Sequence, residues 1–254
     1  MFMPKIVVQQ LPISFNANLI CRNLSPAKAI NKTRPFAEKT YSMFPELLGV
    51  LGGKNEEERN GIIRQAVEKR LIDSAEEIVE RVQYFQSKFD SFLYGFIDAQ
   101  CKLYNYSWKE VHPRINCYVG YIPFYPRHDI DKWFCVSYND EERAFSGAVH
   151  EINHMIFYEK WKEINDLDSM ASPRFPEPIW FFQEMIVDPT LNDPMVKPYT
   201  LYENRAYDQF YTQMVDGKSM MDCLREMYCQ KESIEAFMRE GFAFVEKHVD
   251  FLLR

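Results

Sequence analysis

Hydrophobic positions recur at threes and fours along the first half of the chain, then give way to dense aromatic and β-branched runs after Pro113. An early exception is Lys5-Ile-Val-Val-Gln9, whose β-branched density predicts a short strand. From Pro35 to Leu51 the pattern is loosely helical, and Gly52-Gly53 stops it. Asn55 reads as an N-cap, and Glu56, Glu57 and Glu58 put negative charge where a helix dipole favours it. Ile62, Ile63, Ala66, Leu71, Ala75, Ile78 and Val82 then recur at helical spacing, and Phe85, Phe89, Phe92, Leu93 and Phe96 continue the stripe. This predicts two helices reaching about Tyr106, with Gly61 and Gly95 as candidate joints.

Beyond Pro113, Ile115–Tyr121 and Trp133–Tyr138 read as strands, with Pro123-Phe-Tyr-Pro-Arg-His-Asp129 as the loop between them. A helix is expected from about Asn139 to Ile164, opened by Asn139 or Asp140. The prolines Pro173, Pro176 and Pro178 mark a loop over 165–178. A short helix starts at Pro178, which suits a first helical turn, and Pro189 is expected to limit it. Helical periodicity returns from about Tyr202 to Arg254. The fold class expected is α+β: a small mixed sheet packed on one central helix, with a mainly helical C-terminal lobe. The chain is read as one domain, 1–254, with approximate lobes 1–164 and 165–254.

Composition narrows the function classes. A chain of 254 residues carries one large domain or two small lobes around a cleft. The net charge of −7 gives no basic surplus for nucleic acid or an anionic membrane surface. No stretch approaches the roughly 18 apolar residues of a membrane span. Met1–Ile20 lacks a secretory pattern, so a cytoplasmic protein is expected. The six cysteines form no C-x-x-C pair, which excludes a cysteine zinc knuckle and fits reduced, buried thiols. Glycine is too sparse, at 9 residues, for a phosphate-cradling loop, and no G-x-S-x-G elbow occurs. Aromatics, at 15%, supply core and possible groove surface; Tyr118, Tyr121, Phe124 and Tyr125 are candidates for a substrate pocket.

The chemistry concentrates in His150-Glu151-Ile-Asn-His154, an H-E-x-x-H on the expected helix. Residues four apart lie on one helical face, so His150 and His154 can place imidazole nitrogens on one ion. Glu151 stands beside them, where a carboxylate reaches an ion-bound water and acts as general base. Two histidines leave a catalytic zinc one protein ligand short. A third histidine at the usual distance is absent, because positions 157 and 160 are Phe and Lys. Glu184 and Asp188, four apart in the apolar stretch Trp180–Asp188, supply carboxylates instead: Glu184 as ligand, Asp188 as hydrogen-bond partner of a ligand imidazole.

H150-E151-I-N-H154 followed by E184-M-I-V-D188 resembles the gluzincins, the thermolysin-like clan of zinc metallopeptidases. The likeness covers about a fifth of the chain. It departs from the pattern at Gln183, where many members carry Asn, and at Pro189, which follows Asp188 directly. The resemblance implies a zincin-like fold and one Zn²⁺ held by His150, His154 and Glu184. Glu151 would be the general base, Asp188 would orient His150, and a peptide or protein would be the substrate. It also implies a Tyr or His that stabilises the oxyanion, for which Tyr207 and His248 are candidates and Tyr211 a weaker one. The strand at 115–122 is the expected edge for binding a peptide as an added strand. Two competing readings are a catalytically inactive zincin-fold protein whose zinc is structural, and a helical protein with no metal.

Overall fold

The structure is a computed structural model and describes residues 2–25 and 36–253. It is α+β, built around a four-stranded mixed sheet of order β1-β2-β4-β3. Strands β1 (Lys5–Gln10), β2 (Arg114–Gly120) and β4 (Trp133–Ser137) run parallel, with Ile6 opposite Ile115 and Cys117 opposite Phe134. The two-residue strand β3 (Arg127–His128) adds antiparallel to β4 at one edge. The expected peptide-binding edge at 115–122 is therefore corrected: β2 is an inner strand with both sides paired. Its apolar residues Ile115, Cys117 and Val119 share one face and are fully buried, while Asn116 and Tyr118 on the other face are half-buried. The free edge on the cleft side belongs to β3, inside the stretch expected to be loop.

Helices α1 (Ile13–Asn23), α2 (Phe36–Met43), α3 (Glu56–Asp73) and α4 (Ala75–Leu103) fill the crossover from β1 to β2. Asn55 caps α3 as expected, in a reciprocal capping box with Glu58. The joint between α3 and α4 is Ser74, not Gly61 or Gly95. Gly95 lies inside α4 for a packing reason: a Cβ there would stand 2.7 Å from a ring carbon of Tyr199. Cysteines 101, 117 and 135 are buried, but Cys21 and Cys223 are half-buried and Cys229 is exposed; all six are free thiols.

Two helices carry the motif residues. Helix α5 (Glu141–Ile164) is capped by the Asp140 side chain and packs against β4, α4 and the next helix. Helix α6 (Pro178–Leu191) begins at Pro178 as expected but does not end at Pro189. Proline removes the backbone donor that would have bonded the Met185 carbonyl, and one residue on Thr190 folds its hydroxyl back onto the Ile186 carbonyl at 2.7 Å. From Ala148 to Trp161 only His150 is less than fully buried, and every residue from Trp180 to Leu191 is buried. Both motif helices are thus central.

After α6 the chain is not continuously helical. A short helix α7 (Gln209–Thr212) leads into a hairpin of β5 (Met214–Val215) and β6 (Lys218–Ser219). Its turn is Asp216-Gly217, both at positive φ (50° and 84°), the conformation that Asp-Gly favours between two strands. Helices α8 (Met220–Cys229) and α9 (Ile234–Leu252) then pack on α6. Among the described residues no helix is long and apolar enough to cross a membrane.

Candidate metal centre

The H-E-x-x-H residues sit in the middle of α5, where the helix passes under an open cleft of about 520 Å³. His150 Nε2 and His154 Nε2 lie 2.8 Å apart. Glu184 Oε2, arriving from α6, is 3.4 Å from the first and 3.6 Å from the second. Ligands on a tetrahedral zinc with bonds of about 2.0–2.1 Å stand about 3.3 Å from one another. The three atoms are therefore spaced as the corners of one small coordination shell. Ligand atoms of His150, Glu151 and His154 also lie within 4.8 Å of one another. One oxygen of Glu184 faces both imidazoles, while Glu151 accepts a hydrogen bond from Arg127.

The electrostatics suit a cation. His154 is fully buried, and burial together with the Arg127 charge pushes its imidazole down to about 3, leaving a neutral ring with a lone pair to offer. Burial alone would lower His150 as well; the hydrogen bond to Glu184 and two nearby carboxylates outweigh it and raise that group. Burial would raise Glu184, but the two imidazoles hold it well below the ordinary carboxylate range. Glu151 is raised by burial despite His150 and Arg127.

Arg127, at the β3 edge, is the site residue that the sequence did not single out. Its Nη1 donates to Glu151 Oε2 at 3.2 Å and lies 3.8 Å from Glu184 Oε1. Its Nε donates to Asp129 at 2.9 Å, which fixes the guanidinium plane. Nothing local distinguishes this arginine; only the pairing of β3 with β4 brings it over α5.

Asp188 is not placed on His150. It accepts from Tyr211 Oη at 2.5 Å and from Arg225 Nε and Nη2 at 2.7 and 2.9 Å. The turn of helix separating it from Glu184 advances about 6 Å, which carries it beyond the imidazoles to the α8 side. His154 Nδ1 is buried and without a partner among the described residues. Arg225→Met should therefore lower stability, by about 2 kcal/mol, since it leaves a buried carboxylate with one hydroxyl. The cost stays below that of a fully buried pair because Arg225 is half exposed. A shifted urea midpoint at unchanged slope checks it.

Tyr207 lines the cleft and packs against Trp180, its ring tilted at 34° with centroids 5.9 Å apart. His248 does not: it lies on α9 between Phe244 and Phe251, outside the cleft lining. Tyr211 is taken up by Asp188 and the Ala206 amide. Of the four candidate pocket aromatics, Phe124 and Tyr125 line the cleft, while Tyr121 is in the core and Tyr118 faces a separate small groove. Tyr125 lies flat against α5 because residue 147 is Gly; a Cβ there would stand 2.3 Å from its ring. Gly147→Ala would add helix propensity of about 1 kcal/mol, but displacing a packed ring costs more. Net destabilisation of about 1–2 kcal/mol is expected in thermal or urea unfolding.

Comparisons with protein-family models, curated proteins and solved structures found no match to this chain.

Proposed function

We propose that this protein is a zinc-dependent peptidase of zincin-like architecture, its ion held by His150, His154 and Glu184. The observation that carries this reading is the approach of Glu184 Oε2 to within 3.4 and 3.6 Å of the two H-E-x-x-H imidazoles, from a separate helix. A carboxylate and two imidazole nitrogens form a donor set that zinc favours. When bound, zinc supplies a Lewis acid that polarises the scissile carbonyl and lowers the pKa of a bound water towards about 7.

The chain's own residues do the rest. Glu151 takes a proton from the attacking water and passes it to the leaving amine. Arg127 holds the Glu151 carboxylate in place from the β3 edge. The unpaired side of β3 offers backbone groups to an extended peptide, which would add as a further strand. Tyr207, which lines the cleft, would donate its hydroxyl to the developing oxyanion. The test is hydrolysis of a quenched-fluorescent peptide library, with and without a chelator. Chelator-sensitive cleavage restored by zinc is expected; no cleavage by zinc-loaded protein would overturn the reading.

A further inference from the structure

The cleft carries positive charge that the hydrolytic chemistry does not use. One wall is formed by Arg22 and Asn23 at the end of α1, Lys39 on α2 and Arg143 in the first turn of α5. Burial and the Arg143 charge together lower the Lys39 ammonium, so the two cations share a field. Neither they nor Arg22 makes an ion pair with an acid among the described residues, and residues 26–35 contain no Asp or Glu. Three acids of the cleft are engaged elsewhere: Asp129 and Glu151 bind Arg127, and Glu184 faces the imidazoles. The fourth, Glu203, is exposed and comes from the stretch after α6. In a chain of net charge −7, three uncompensated cations on one wall are a local reversal of sign.

Two further observations point to a ligand. Arg143 is held in position, its Nη2 donating to the Pro123 carbonyl at 2.7 Å and its guanidinium lying over the Tyr125 ring at 4.9 Å. Arg143 lines the cleft and keeps Nε and Nη1 without a hydrogen bond among the described residues. Asn23 lines the same cleft, is 1% exposed, and among the described residues neither its amide nitrogen nor its amide oxygen has a partner. A buried carboxamide with nothing to bond is costly unless something else satisfies it.

We propose that this wall is a carboxylate-binding subsite, so that the cleft selects peptides bearing a carboxylate near the bond it cleaves. The inference rests on the cleft being a peptide site. Arg143 precedes His150 by seven residues on one helix, about 10 Å along its axis. An extended peptide covers that in about three residues. The carboxylate is either an Asp or Glu side chain or a C-terminus at that distance.

The experiment measures binding to Glu151→Gln protein with zinc added, by fluorescence anisotropy of three labelled octapeptide pools. One pool has neutral side chains and a C-terminal amide, one adds a Glu, and one is neutral with a free C-terminal carboxylate. At low salt, one carboxylate pool should bind about tenfold tighter than the neutral amide pool, and which one identifies the source. Arg143→Gln and Lys39→Gln, each made in the same background, should cut that preference at least threefold. Lys39 keeps solvent access and makes no hydrogen bond or ion pair among the described residues, so its variant should fold. Equal binding of all three pools, or a preference undiminished in both variants, overturns the subsite. Wild-type hydrolysis of the same pools separates the two readings. Selective binding without hydrolysis counts against the peptidase alone, and hydrolysis without selectivity counts against the subsite alone.

Discussion

Purified protein is expected to carry about one zinc ion per chain and to lose it in His150→Ala, His154→Ala and Glu184→Ala. The three ligand atoms come from two helices, 2.8 to 3.6 Å apart, and no two of them alone complete a shell. Disturbing a residue behind a ligand already weakens metal binding about 10–100-fold, so removing a ligand should exceed that. Elemental mass spectrometry on wild type and the three variants makes the measurement. Stability should follow the metal: at zinc a thousandfold above its dissociation constant, binding adds about 4 kcal/mol. For a chain of this size that is about 10 °C in Tm, which a chelator should remove from wild type and not from the variants. Zinc retained in Glu184→Ala but lost in His150→Ala would move the third ligand to Glu151, whose carboxylate also lies within reach of both histidines. The general-base role would then fall with it. No zinc after reconstitution would end the metal reading.

The residues legible in the sequence are those whose roles depend on spacing along one helix. His150, Glu151 and His154 share a turn of α5, and Asn55 and Asp140 mark the helix starts that the structure has. The three long strands lie within about a residue of where β-branched and aromatic runs put them. Their order was not legible. Nothing in Ile115–Tyr121 tells whether one or both of its edges are paired, and the structure pairs both. Glu184 was reachable because a carboxylate inside an unbroken apolar helix needs a partner. The same argument found Asp188 but misassigned its partner, because the competing donor, Arg225, comes from 37 residues further on. Arg127 was hidden for the same reason: its neighbours in space are 24 and 57 residues away in sequence. The hairpin at Asp216-Gly217 is different. Its signal was local and strong, but it was masked by the helical periodicity on either side.

Replacing Glu151 by Gln should leave zinc bound and lower kcat about 10²–10⁴-fold, the usual contribution of a positioned proton-transfer group. The substitution keeps the side chain's length and removes its basicity. It also keeps one oxygen to accept the 3.2 Å bond from Arg127, so the β3 edge should hold its place. KM should change little, because the lost interaction belongs to the transition state and not to substrate binding. That pattern separates an enzyme from a protein whose zinc is structural, in which the glutamate would have no proton to move and the variant no turnover to lose. Burial of an unneeded carboxylate here would be unfavourable, since it raises the group and gains only a long bond to Arg127 in return. A structural site would therefore be expected to gain stability in Glu151→Gln, and a catalytic one to gain stability while losing turnover. Unfolding midpoint and kcat measured on the same preparation distinguish the two. A more stable variant with full hydrolytic activity would remove Glu151 from the mechanism.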